Sequence, residues 1–149
     1  MRRLILTLLF AAPGASAAGL PVLSGYPGCN YERLGNVQAV DGRRPDGSLD
    51  DGRLRQARYS RVFERLAAQG EARGANAIVV NLHEADFYTK NGRRTTRPVY
   101  VAVSGAAIRV ADAARCRLDV LDADALQARA LQGKAADVVI KKPPPPPVF

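Results

Sequence analysis

Asn91-Gly92 constrains this chain more than any other feature. The pair suits a two-residue type I′ turn, whose central residues both need positive φ. It lies between two runs of alternating hydrophobicity, residues 76–88 and 98–110. Together they predict a long antiparallel hairpin. A two-residue turn also fixes a register. Lys90 faces Arg93, and continuing outward puts Asp86 opposite Arg97, Leu82 opposite Val101 and Val80 opposite Val103. His83 then faces Tyr100 as a surface cross-strand pair. Ile78, Val80 and Leu82 share one face; Ala77, Val79, Asn81, His83, Ala85 and Phe87 share the other. In the returning strand Val99, Val101 and Val103 alternate. After Gly105 the pattern moves by one, to Ala106, Ile108 and Val110, which predicts a β-bulge at Gly105.

A helix leads into this hairpin. Over 53–73, Leu54, Ala57, Val62, Phe63, Leu66 and Ala67 recur near the helical period, and arginines hold much of the other side. Gly74 supplies the left-handed position that ends the helix. The polar run 43–52 precedes it as a loop, with acids placed to favour the helix N-terminus. Before that loop, residues 30–40 read as a first strand with Gly35 a candidate bulge. Residues 18–28, rich in Gly and Pro, read as an extended, mobile lead-in.

Beyond the hairpin the signals weaken. Residues 111–115 form a connector, and 116–121 suit a short strand. Asp122 or Asp124 can cap a short helix through Leu131 that ends at Gly133. Val138 to Ile140 suit a last strand or a lead to the tail, and Pro143 to Pro147 suit polyproline II.

The N-terminus changes the class. Met1-Arg2-Arg3 is a positive start, Leu4 to Ala12 is apolar, and Ala15-Ser16-Ala17 is a small-x-small cleavage signal. This predicts a cleaved signal peptide over 1–17, since the apolar run falls far short of the ~20 residues a spanning helix needs. Tyr26 and Pro27 before Cys29 do not form a lipobox, so the expected location is periplasmic or secreted without a lipid anchor. The whole chain carries a formal charge of +8. The signal segment removes only Arg2 and Arg3, so the mature chain stays basic. Its arginines are dispersed and lack interleaved aromatics, so no nucleic acid partner is expected.

Two cysteines in an exported chain predict one disulfide ahead of metal binding or catalysis. Topology supports the pairing. A strand, a crossover helix and a hairpin make a β-α-β-β unit. With the third strand between the other two, the start of the first lies beside the end of the third, which brings Cys29 to Cys116. Closing so long a loop stabilises by ~4–5 kcal/mol in the chain-entropy model. The expected fold is α+β: a β-α-β-β core over 29–121 with a mixed sheet and one main helix on one face. A short C-terminal helix follows within 122–142, then the proline-rich tail 143–149.

Three stretches carry a resemblance: Leu34-Gly35-Asn36-Val37-Gln38-Ala39, then Arg73-Gly74-Ala75-Asn76-Ala77-Ile78-Val79-Val80, then Val101 to Val110. Across residues 31–110 the chain resembles the YbjQ-like small α/β domain family and the related RcsF-like domain of Rcs envelope-stress sensors. The resemblance implies this fold and a place in the cell envelope. The sensors are lipoproteins with two disulfides, whereas this chain has a single cysteine pair. YbjQ-like domains have been labelled heavy-metal-binding, which makes an oligomer binding a metal or small ligand the alternative function.

The residues themselves offer little chemistry. His83, Glu84 and Asp86 cannot converge on a metal from alternating strand positions. The single His, with no nucleophile elbow and both cysteines committed, leaves no catalytic set. No catalytic or metal-ligating residue and no cofactor is assigned. The expectation is a non-enzymatic envelope binding or stress-sensing module, its partner an envelope protein or an anionic envelope component. The half-apolar face with His83, Phe87 and Tyr100 is the candidate binding or homo-oligomer interface.

Overall fold

The long hairpin is present in the computed structural model, which describes residues 19–43, 56–90, 93–133 and 137–139. Strands β3 (Ala77–Lys90) and β4 (Arg93–Val110) run antiparallel, with Lys90 opposite Arg93. Asn91 and Gly92 themselves fall outside the described residues, as do the signal segment and the proline-rich tail. Strand β2 (Tyr31–Gly42) pairs with the other edge of β4, also antiparallel. β4 is therefore central, as the cysteine argument requires. The fold is α+β, with helix α1 (Tyr59–Ala72) crossing between β2 and β3.

The predicted register does not survive beyond the turn. Irregularities at Phe87/Thr89 and Asp86/Phe87 insert residues on β4, so Asp86 faces Tyr100 instead of Arg97. A further shift at Val80/Leu82 puts the extra residue, Asn81, on β3. Leu82 faces Ser104, His83 faces Val103, and Val80 faces Gly105. A turn fixes register only as far as the first bulge, and each bulge changes the pairing beyond it.

The Asn81 bulge also reverses the faces. Ile78 and Val80 point towards α1. Past the bulge Ala85 and Phe87 pack in that same core, while Leu82 is 38% exposed on the other side. The bulge predicted on β4 at Gly105 thus lies across from it, on β3. From Val101 to Val110 the alternation of β4 is unbroken: Val101, Val103 and Ala107 face the helix layer, and Ala106, Ile108 and Val110 face away. The apparent slip at Gly105 arises because residues 105–108 of β4 are covered on both faces, so all four are small or apolar.

α1 turns Tyr59, Val62, Leu66, Ala67 and Gly70 inward. It starts later than its periodicity suggests. Gln56 to Arg58 are extended instead, with the Ala57 N–H donating to the Pro98 carbonyl. Residues 53–55, with Leu54, lie outside the described residues, as do Asp50 and Asp51. The stop is as expected: Gly74 has φ +72, the Gly74 N–H donates to the Glu71 carbonyl and the Ala75 N–H to the Gly70 carbonyl. This is the Schellman arrangement.

Helix α2 (Ala123–Gln132) packs beside α1 through Leu126 and Ala130. Its ends differ from expectation. Asp122 occupies the N-cap without a side-chain hydrogen bond, and Gly133 has φ −71, so no left-handed glycine closes it. Arg94 closes it instead, donating from Nη1 to the carbonyls of Ala130 and Gly133. A cation there suits the negative end of the helix dipole.

The lead-in is not a loose segment. Val22–Leu23 form strand β1, parallel to β3, with Val22 opposite Ile78. These two residues are 4% and 0% exposed. The stretch 116–121 contributes only a bridge between Leu23 and Val120. Strand β5 (Asp137–Val139) pairs antiparallel with β3 beyond the bulge. Cys29 and Cys116 are joined, with Cα atoms 6.0 Å apart and a sequence separation of 87. The resulting sheet order is β1-β3-β4-β2, with β5 on the β1 side of β3.

Candidate functional surface

The residues singled out as one face do not share one. His83 and Phe87 face the helix layer, whereas Tyr100, opposite Asp86, lies on the outer face. His83 is 0% exposed, so it is not a surface residue. Its Nε2 lies 2.7 Å from the Tyr59 hydroxyl, and the rings are 5.4 Å apart. Tyr59 enters this pair from the first turn of α1. Burial raises the ionisation of its phenol well above the usual range, so the hydroxyl stays protonated. With Tyr59 at 2% exposure, neither reactive atom can reach a ligand in this arrangement. The pair is a buried polar contact that fixes α1 over β3. Phe87 packs at the core's margin, with the Arg94 guanidinium 5.4 Å from its ring centre.

A second polar contact holds the start of α1. Asp41, 8% exposed at the end of β2, accepts the Arg58 N–H at 2.8 Å through Oδ2. Arg65 Nη1 lies 3.4 Å from its Oδ1, and Arg65 also donates to the Val40 carbonyl. Among the described residues, the acid serving this helix comes from the preceding strand. Asp41→Ala should cost about 1–3 kcal/mol in urea unfolding, because the N–H and the guanidinium lose a charged acceptor. An unchanged midpoint would remove Asp41 from this role.

Above Asp41 lies the most strongly charged surface among the described residues that has a clear geometric origin. Arg61 and Arg65 lie about one turn apart on α1, and Arg58, its extended N-cap residue, continues the basic run at that end. All three are exposed, Arg65 with 53% of its side chain accessible. Arg43 follows β2 at the same end, its N–H donating to the Val99 carbonyl. Arg97, exposed, donates to Gln56 Oε1 at 2.9 Å. Glu64 is the one acid within this part of the helix, three residues after Arg61 and so its neighbour on the helix surface. On the outer sheet face, Glu84, Asp86, Tyr100 and Ser104 are half-buried, with Gln38 exposed beside them.

Among the described residues, no group of three or more His, Cys, Asp or Glu could hold a metal ion. No helix there is long and apolar enough to cross a membrane. No protein-family model matches the chain, and no curated protein matches it significantly.

Sequence reasoning passed over Tyr59 and Asp41. Tyr59 stands at a helix start, and its partner His83 lies 24 residues away on β3, on a face that unbroken alternation turns outward. Asp41 sits beside Gly42 and reads as turn chemistry. The basic run was visible in the sequence, but its nearness to Arg43 and Arg97 needed the pairing of residues 56–57 with β4.

Proposed function

We propose that this chain is an exported, non-enzymatic envelope module of the YbjQ-like type that binds an anionic surface through the arginine side of α1. The basic run of Arg58, Arg61 and Arg65, extended by Arg97, is the observation that carries this reading. Exposed guanidinium groups gathered around one helix start suit phosphate-bearing lipid headgroups, which need many shallow contacts instead of a deep pocket. The joined cysteines support an oxidising compartment, and the N-terminal charge and hydropathy pattern supports export.

Each basic residue near an anionic membrane contributes ~1 kcal/mol. The triple change Arg58→Gln, Arg61→Gln and Arg97→Gln should therefore weaken binding to phosphatidylglycerol vesicles about a hundredfold. Arg65 is left intact because it also supports Asp41. Co-sedimentation at low and at moderate salt measures this, and binding should fall as salt screens the charges. Failure of the unmodified chain to bind at low salt would end the anionic-surface reading. Equal binding by the triple variant would move the site elsewhere. Titration with Zn, Cu and Ni separates the alternative of an oligomeric metal-binding domain, which requires saturable heat.

A further inference from the structure

The outer sheet face carries a second apolar strip made of Leu23, Ala77, Val79, Ala106, Ile108 and Val110, each 2% exposed or less. Its cover is thin. It consists of Tyr26, Cys29, Tyr31, Cys116 and Leu118, all only partly buried. Apart from Tyr31, these lie on two irregular segments, 24–30 and 111–119. A Cβ placed on Gly25 or Gly28 would meet nothing within 4 Å, so the first segment has open space around it. Both described helices contribute instead to the other core. Backbone hydrogen bonds tie the cover down from the N–H of Ser24 to Asp119, of Ala111 to Asn30 and of Leu121 to Val22. The disulfide links the two segments and is itself part of the cover.

We propose that Cys29–Cys116 is a reducible latch whose opening by a dithiol reductant lets this cover lift from the strip while the helix-side core stays folded. The exchange is balanced within the two partners. A thiolate of the reductant attacks Cys29 Sγ, the S–S bond breaks, and Cys116 leaves as a thiolate. The second thiol of the reductant then displaces Cys29 and closes the reductant's own disulfide. Both electrons come from the reductant, and its two protons end on the two cysteines. Arg115 and Arg117 flank Cys116, and positive charge beside a sulfur favours thiolate departure. Their carboxylate contacts, Asp112 at 3.6 Å and Asp119 at 3.9 Å, are local and largely exposed. Once the bond is open, the two segments of the cover are held mostly by partly buried side chains and by a few backbone bonds, with no helix or strand of their own, which is the pattern of a low-stability region.

The latch goes beyond the proposed binding role and is tested without any partner, so its failure leaves that reading standing. Native-state hydrogen exchange on the full chain, oxidised and then reduced with dithiothreitol, decides it. The amides of Ser24 and Ala111 should lose at least tenfold more protection on reduction than those of Leu66 and Ala67 in α1. Fluorescence of a dye that binds apolar surface should rise in parallel. Uniform loss across both sets would show that the bond staples the whole fold, and unchanged protection would show a cover that needs no bond; either overturns the latch. The variant Cys29→Ser with Cys116→Ser should reproduce the reduced pattern without reductant. If it does not fold, the titration of the unmodified chain still decides. Arg115→Gln with Arg117→Gln should slow reduction several-fold, and an unchanged rate would overturn the assignment of Cys116 as leaving group.

Discussion

Gly105→Ala is expected to lower stability by about 3 kcal/mol, at the upper end for a small-to-large change in a packed interior. The reason is backbone, not side chain. A Cβ at this position would lie 2.1 Å from the Val79 carbonyl oxygen and 3.3 Å from the Val80 Cα. Gly105 is in the central strand, opposite Val80 on one side and Val37 on the other. Neither neighbour can retreat without breaking ladder hydrogen bonds. The crowding lies beside the Asn81 bulge, which brings β3 close to β4 at this point. A fall in Tm of roughly 10–20 °C should result, measured by calorimetry with the disulfide intact. A Tm within a degree or two of the parent would mean that the strands can separate here at little cost.

Tyr59→Ala should cost about 3–5 kcal/mol, as expected for deleting a fully buried aromatic ring. Tyr59→Phe keeps the ring and removes only the hydroxyl bonded to His83 Nε2, and should cost about 1–3 kcal/mol. The gap between the two variants separates packing from the polar contact, and urea unfolding reads both. The hydroxyl also predicts a pH dependence. Burial raises the folded phenol's pKa above the ordinary tyrosine value of about 10, so the neutral form is favoured on folding. Its contribution is complete below pH 10 and is lost as pH rises above 10 towards the folded value. Tyr59→Phe should lack this component of the alkaline decline. An identical alkaline profile in both proteins would argue that the phenol is not buried in solution.

Much of the architecture was legible because it rests on local chemistry. Gly74 ends α1 where only a residue tolerant of positive φ fits. The alternation after it marks β3, and Asn91-Gly92 marks the return to β4. The order of elements, with β4 supposed in the middle, brought Cys29 to Cys116. The failures share a physical origin in backbone irregularities and edge pairing. A bulge depends on the neighbouring strand as well as on its own residues, so Asn81 carried no mark that would distinguish it from any polar strand residue. Val22-Leu23 is too short to show a period, yet it is buried because β3 has an open edge at Ile78 and Val79.

The bulge matters most for the candidate residues. A strand with unbroken alternation would place His83 with Val79 and Tyr100 on the outer face, where it was expected as part of an interface. One extra residue turns it into the core against Tyr59 and leaves Tyr100 outside. The proposed binding surface then falls on the arginines around the start of α1 instead, of which Arg61 and Arg65 are placed by helical spacing without reference to the sheet. The sequence by itself determined α1, α2, β2 and the β3–β4 hairpin and, supposing β4 central, led to the cysteine partnership, because turn residues, periodicity and chain connectivity act over short distances; β1 and the place of β5 were not legible in it. Only the tertiary structure decided which face each side chain of β3 meets, because that depends on how closely β3 approaches β4 at Gly105 and on what α1 presents from above.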